Sequence, residues 1–139
     1  MIKTFVFDTN TLISANLSPL STNRTAYDLA REIGISVYSI ATFAEFSETL
    51  VRPKFDKYIS VEKRLEAISA FEKNSQVILV STKIEVCRDP KDNKFLELAT
   101  ECRASCIITG DNDLLVLHPF EGIPILNATD FIDRFKLVS

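Results

Sequence analysis

A short run of strand-forming residues near the N-terminus ends in an acid and leads directly into a helical pattern. Residues 3–7 read KTFVF, and Asp8 follows them, ahead of Thr9, Asn10 and Thr11. A run of this kind is typical of a central strand that is buried on both faces. Since open α/β folds bind ligands beyond the carboxyl ends of their strands, Asp8 is predicted to lie at a ligand-binding edge. The simpler alternative is that Asp8 only caps the helix that follows.

Short apolar strands alternate with helices along the rest of the chain. This alternation indicates right-handed crossovers and a mainly parallel, five-stranded sheet that helices cover on both faces, hence an α/β fold. On the helix predicted over 60–73, Leu65, Ile68 and Phe71 are expected to face inward. The later strands are predicted at 35–40, 77–80, 104–108 and 123–126, and further helices at 9–17, 41–51 and 114–117.

Length and composition fit one globular domain over residues 1–139. The hydrophobic fraction is 46%, and no segment approaches the ~18 uninterrupted apolar residues of a membrane span. The N-terminus lacks the pattern of a signal peptide, so we expect a cytoplasmic protein that does not associate with membranes. The formal net charge of −3 argues against general nucleic-acid coating, unless some of the acids hold cations.

Acids recur where the predicted strands end and the helices begin. Because the carboxyl ends of parallel strands meet at one edge of a sheet, these carboxylates are expected to come together beside Asp8. Capping explains any one of them, but it does not predict that all of them converge. Glu48 shares a helical face with Glu45, and for Glu48 we favour a solvated role. The converging acids are Glu45, Asp89, Asp92, Asp111 and Asp113.

Carboxylates brought this close repel each other, and burial adds to the cost of their charge. Hard divalent cations remove the conflict, since Mg²⁺ and Mn²⁺ prefer oxygen ligands and bind through a few carboxylates plus substrate phosphate oxygens. One or two such ions activate water and stabilise the oxygens of a phosphodiester. Metal-assisted phosphodiester hydrolysis is therefore the chemistry that these residues can support.

Other catalytic groups are not evident in the sequence. His118 precedes Pro119 in a predicted loop, so we interpret it as a surface residue. The three cysteines lack the spacing of a zinc site and are interpreted as buried, reduced thiols. Arg52, Lys54 and Lys57 form a small basic cluster that is either solvated or touches backbone phosphates.

Four motifs, in this order and spacing, resemble those of the PIN-domain (PilT N-terminus-like) nucleases, and the resemblance covers nearly the whole chain. Two further stretches, LVRPKF at 50–55 and CRDPKD at 87–92, are similar to a subgroup of toxins from toxin–antitoxin pairs. The four motifs are FDTN at 7–10, FAEF at 43–46, Asp92 ahead of KFLELA at 94–99, and TGDND at 109–113.

The resemblance implies a three-layer α/β/α sandwich, cleavage of RNA with Mg²⁺ or Mn²⁺, a cognate antitoxin protein and a homodimer. It assigns polar positions that orient the carboxylates or the water to Asn10 and Thr109, with Asp89 a second choice. Weak RNA contacts are expected from Arg52, Lys54 and Lys94. The metal-holding acids that it implies are Asp8, Glu45, Asp92 and Asp111, with Asp113 as a fifth catalytic acid.

Two other functions are compatible with the same residues. One is a non-catalytic RNA- or partner-binding module on this fold, which would require that the site is lost although all its acids are present. The other is a phosphatase of the haloacid-dehalogenase type, in which Asp8 would attack phosphorus. Those enzymes require a second acid two residues further on, where this chain has Asn10.

Overall fold

The computed structural model describes residues 2–136, and five parallel strands form its central sheet. The strand order is β3-β2-β1-β4-β5, so the N-terminal strand lies in the middle and pairs with β2 on one side and β4 on the other. Because all the pairs are parallel, the carboxyl ends of the strands lie at the same edge. The strands are β1 (Lys3–Phe7), β2 (Gly34–Tyr38), β3 (Gln76–Val77), β4 (Cys106–Ile108) and β5 (Ile125–Leu126).

Two apolar cores, one on each face of the sheet, hold the helices in place. Phe5 and Phe7 of β1 contribute to one core, and Val6 between them contributes to the other, as the alternation of a strand requires. Helices α1 to α4 and α7 pack on the first face, and α5 and α6 on the second, which confirms the predicted α/β sandwich. The helices are α1 (Thr9–Leu17), α2 (Thr22–Ile33), α3 (Ile40–Leu50), α4 (Val61–Asn74), α5 (Asn93–Cys102), α6 (Asn112–Leu115) and α7 (Ala128–Phe135).

Strand β3 is shorter than the predicted strand over 77–80. After Ile78 donates its N–H to the Tyr38 carbonyl at 2.8 Å, the chain leaves the sheet. Side chains of α5 then accept the backbone N–H groups that a neighbouring strand would otherwise bond. Glu101 accepts from residues 81 and 82, Glu97 from residue 84, and Asn93 from residues 86 and 87. These bonds lead the chain to the acids at 89–92.

Helix α4 presents a different face to the core than the sequence predicts. Phe71 is buried and Ile68 packs against the core, but Leu65 is 54% exposed, so the prediction for Leu65 is wrong. The fully buried residue is Arg64, which lies on the stripe of Ile68 and Phe71 at helical spacing. Its guanidinium donates to the carbonyls of Leu50 and Arg52 and to the Asp56 carboxylate.

Among residues 2–136, no helix combines the length and the apolar character needed to cross a membrane.

Candidate functional site

Asp8 lies directly beyond β1, where it is almost fully buried at 5% exposure. It caps α1, because its Oδ1 accepts the N–H of Thr11 at 2.9 Å. Its Oδ2 accepts the hydroxyl of Thr109, which directly follows β4. Burial raises the pKa of Asp8 more than these two bonds lower it. Asp8 therefore caps a helix and also faces the sheet edge, so the capping alternative does not exclude a functional role.

Asp92 stands at the start of α5, yet its side chain makes no capping bond. Within the described chain, its Oδ2 is buried and has no hydrogen-bond partner. Burial, followed by the neighbouring Asp111 carboxylate, raises the pKa of Asp92 to about 7. By contrast, Asp89 caps its own turn, since its Oδ1 accepts the N–H of Lys91 at 3.0 Å. Capping accounts for Asp89 but leaves the Asp92 carboxylate unexplained.

Three carboxylates converge at this point. One oxygen each from Asp92, Asp111 and Asp113 lies within 4.8 Å of the other two, and all three residues are half-buried. The Oδ1 of Asp111 accepts the N–H of Asp113 at 2.9 Å, which fixes the turn that brings both acids to the cluster. Oxygen donors at this spacing, with one buried oxygen left unbonded, fit a hard divalent cation.

Glu45 of α3 is held beside this cluster by donors from two other helices. Lys94 Nζ, on α5, lies 2.7 Å from Glu45 Oε2, and the Thr9 hydroxyl, on α1, donates to Oε1. Glu48, three residues further on, is exposed, as the sequence predicts. The Glu45 carboxylate is thus oriented, and its charge is balanced by Lys94.

A cleft of about 280 Å³ lies between the carboxylates of Asp8, Glu45 and Asp92. We call it the carboxylate cleft. Arg52 is the only member of the predicted basic cluster that lines it, whereas Lys54 is exposed and lies over the Phe55 ring at 5.1 Å. The acids that line the carboxylate cleft are Asp8, Glu45, Asp89, Asp92 and Asp111.

Asp113 bonds outward from the cluster to Arg88. Two bonds of 2.9 and 3.1 Å join the guanidinium to both carboxylate oxygens, although the Arg88 side chain is 84% exposed. The sequence pattern by itself predicts no role for Arg88 or for Thr9. Arg88 precedes Asp89 in the chain and Thr9 follows Asp8. An arginine or a threonine does not by itself indicate that it will bond to a carboxylate of the site.

Comparison with known proteins gives one family match and one curated relative. The model of the PIN domain matches residues 4–113 of this chain. The uncharacterized protein MJ1680 of Methanocaldococcus jannaschii is 40% identical over 115 residues, which are 81% of this chain and 74% of that protein. The match favours a nuclease family over the haloacid-dehalogenase alternative.

Solved structures share the fold at low sequence identity. VapBC2 from Rickettsia felis, bound to a DNA fragment from its promoter, superposes with a TM-score of 0.61 at 13% identity, covering 89% of this chain and 98% of that chain. DNA-bound VapBC from Salmonella typhimurium gives a TM-score of 0.59 at 20% identity, covering 92% and 99%. PAE2754 from Pyrobaculum aerophilum gives 0.59 at 15% identity, covering 94% and 88%.

Proposed function

The chain belongs to the PIN-domain family, and from this premise we propose that it is a divalent-metal-dependent endoribonuclease. The observation that carries the proposal is the group formed by Asp92, Asp111 and Asp113, in which Asp92 has a buried oxygen without a partner among residues 2–136. An uncompensated carboxylate of this kind is costly unless a cation balances it. Protonation of Asp92 relieves the cost in the absence of metal.

We assign Mg²⁺ or Mn²⁺ to the carboxylate cleft, as one or two ions. Asp92 and Asp111 would hold the metal together with Asp8 and Glu45 across the cleft, and Asp113 would complete the cluster. When bound, the metal supplies an activated water and stabilises the negative charge that develops on the phosphate oxygens.

The protein's own groups orient these acids and receive the substrate. The Thr109 hydroxyl and the Thr11 N–H hold the two oxygens of Asp8, so that its carboxylate has one orientation. Lys94 and the Thr9 hydroxyl do the same for the two oxygens of Glu45. Arg52, an exposed residue of the carboxylate cleft, would contact an RNA phosphate, and such contacts fix the register of a nucleic acid.

The proposal is tested by cleavage of a mixed single-stranded RNA in Mg²⁺, Mn²⁺ or EDTA. We expect metal-dependent cleavage that Asp8→Asn and Asp92→Asn each lower by at least about 100-fold. Glu48→Gln, which removes an exposed acid from the same helix as Glu45, is the matched control and should retain full activity. Folded wild-type protein that cuts no RNA under any of these conditions would support the non-catalytic module instead.

We further propose that the protein is the toxin of a toxin–antitoxin pair. The support is the toxin-like stretches at 50–55 and 87–92, together with a fold shared with the VapBC structures from Rickettsia felis and Salmonella typhimurium. Expression should arrest growth, and a co-encoded partner protein should relieve the arrest. Harmless expression of the active enzyme would contradict this role.

The same premise leads us to propose a homodimer that acts in the cytoplasm, where its RNA substrate is found. Light scattering on the purified protein should give twice the mass of one chain. A monomer at micromolar concentration would contradict the dimer without affecting the proposed chemistry.

A further inference from the structure

A second cleft, of about 610 Å³, lies beside the carboxylate cleft and shares Asp8 and Asp111 with it. Its volume falls within the roughly 300–1,000 Å³ that is usual for small-molecule sites. An arginine and several asparagines line it, so we call it the amide cleft. Because the two clefts share two acids, a group bound here lies next to the proposed scissile phosphate. The side chains of Asn10, Asn23, Asn112, Arg88 and Asp113 also line it.

The asparagines of the amide cleft differ from most others in the protein. Within residues 2–136, the side chains of Asn10, Asn23 and Asn112 make no hydrogen bond to another protein group, whereas three of the other four asparagines bond to the backbone and the fourth, Asn74, is exposed at the end of α4. Each unbonded amide keeps one acceptor oxygen and two donor hydrogens available. The bonded asparagines are Asn16, Asn93 and Asn127.

Helix capping does not explain these three asparagines. They lie in the first turns of α1, α2 and α6, but the capping bonds there are made by Asp8, Ser21 and Asp111. Three amides without a protein partner among residues 2–136 thus line one cleft from three helices, where their donors and acceptors are open to a ligand.

The chemistry of the lining indicates which ligand would fit. An amide presents a donor and an acceptor side by side, and this pair matches the edge of a nucleobase, with adenine N6 and N7 the best-known partner of asparagine. Proteins that recognise single-stranded RNA read such base edges by hydrogen bonds. Arg88, the cation in the lining, is already paired with the Asp113 carboxylate, so the uncharged base is the part of a nucleotide that suits this cleft.

We propose that the amide cleft is a nucleobase-recognition subsite, in which Asn23 and Asn112 read the edge of the unpaired base next to the scissile phosphate and favour adenine. This inference rests on the proposed ribonuclease function and adds sequence selectivity to it. Of the three asparagines, Asn10 is the one that lines both clefts, and Arg88 lines the amide cleft alone.

Binding tests the subsite without relying on cleavage. In an Asp92→Asn background, labelled hexamers of adenylate and of uridylate are titrated with protein in Mg²⁺ and followed by fluorescence polarisation. We expect the adenylate hexamer to bind about 5- to 100-fold more tightly, the discrimination that one well-placed bidentate contact provides. Adding Asn23→Ala or Asn112→Ala should remove most of this preference. Asn74→Ala, at the exposed end of α4, should leave it unchanged.

Cleavage mapping separates this inference from the proposed function. A randomised single-stranded RNA is cut by wild type and by Asn23→Ala, and the new ends are sequenced. Enrichment of adenine beside the cut in wild type, and its loss in the variant, supports the subsite. Cleavage without enrichment, or enrichment that both Asn23→Ala and Asn112→Ala retain, overturns the subsite and leaves the ribonuclease intact. If wild type does not cut at all, the proposed function fails. Equal binding of the adenylate and uridylate hexamers would then overturn the subsite as well.

Discussion

Lys94 Nζ lies 2.7 Å from Glu45 Oε2, and this ion pair joins α5 to α3 at the Glu45 side of the carboxylate cleft. The sequence predicts Lys94 as an RNA-binding residue, and its partner shows a second way in which it can act. Because only 18% of its side chain is exposed, Lys94 contacts Glu45 more than it contacts solvent. The pair couples the position of an acid on one helix to the start of the helix that also carries Asp92.

Replacing Lys94 distinguishes these two roles. We expect Lys94→Met to lower RNA cleavage about 10-fold, because Glu45 loses a donor that orients it, and to leave the salt dependence of RNA binding unchanged. Arg52→Met, which removes a guanidinium at the rim of the cleft, should reduce the slope of log affinity against log salt by about one unit. A reduced slope for Lys94→Met would show that Lys94 contacts a phosphate.

The raised pKa of Asp92 predicts how the stability of the metal-free protein depends on pH. Asp92 has a pKa of about 7 in the folded chain and about 3.9 when unfolded. Between pH ~4 and pH ~7 the folded state retains a proton on Asp92 that the unfolded state has released. The contribution of protonated Asp92 to the stability of the fold is therefore full below pH ~4 and is lost as the pH rises through ~7. Thermal unfolding in EDTA should show Asp92→Asn more stable than wild type at pH 8 and similar to it at pH 4.

The matched control for this pH profile is Glu48→Gln, whose curve should follow that of wild type. Mn²⁺ at pH 8 should raise the melting temperature of wild type, since a cation that binds only the folded state stabilises it. Asp92→Asn should not respond to Mn²⁺ in this way. Equal responses of the two proteins would exclude Asp92 from the metal site.

The buried guanidinium of Arg64 predicts a large loss of stability on substitution. Arg64 donates to the carbonyls of Leu50 and Arg52 at 3.0 and 3.1 Å, and its side chain is fully buried. Arg64→Met would leave both carbonyls without that donor, and we expect the free energy of unfolding to fall by about 2–4 kcal/mol in urea titration. Asp56→Asn should cost less than about 1 kcal/mol, because the Asp56 side chain is 66% exposed.

Gly34 is required by a close approach of two strands. A Cβ at this position would lie 2.3 Å from the Lys3 carbonyl oxygen and 2.9 Å from the Phe5 ring, and the carbonyl belongs to the backbone of β1. Gly34→Ala should therefore lower the free energy of unfolding by about 1–3 kcal/mol. A Cβ at Gly110 would meet no atom of the described residues within 4 Å, so Gly110→Ala should change stability by less than about 0.5 kcal/mol in the same urea titration.

Local sequence signals are sufficient to predict the order of strands and helices and the sheet edge at which the acids lie. Residues 5–7 are buried, Ser60 caps the helix that it precedes, and Asp8 follows the central strand. These features depend on short-range propensities and on the parallel arrangement of strands, both of which are readable along the chain. Leu65 was misplaced because an arginine, and not an aliphatic residue, occupies the buried stripe of α4.

The sequence alone thus determined that this chain forms a parallel α/β sheet and delivers acids to the carboxyl edge of its strands. Only the tertiary structure decided how those acids are held: Thr109 bonds to Asp8 across 101 residues of chain, and Lys94 to Glu45 across 49. It also decided that, among residues 2–136, one oxygen of Asp92 has no partner and that three asparagine amides without a protein partner share one cleft. The physical reason is that secondary structure follows from local periodicity, whereas the partner of a side chain depends on which distant segments the folded sheet brings within a few ångströms.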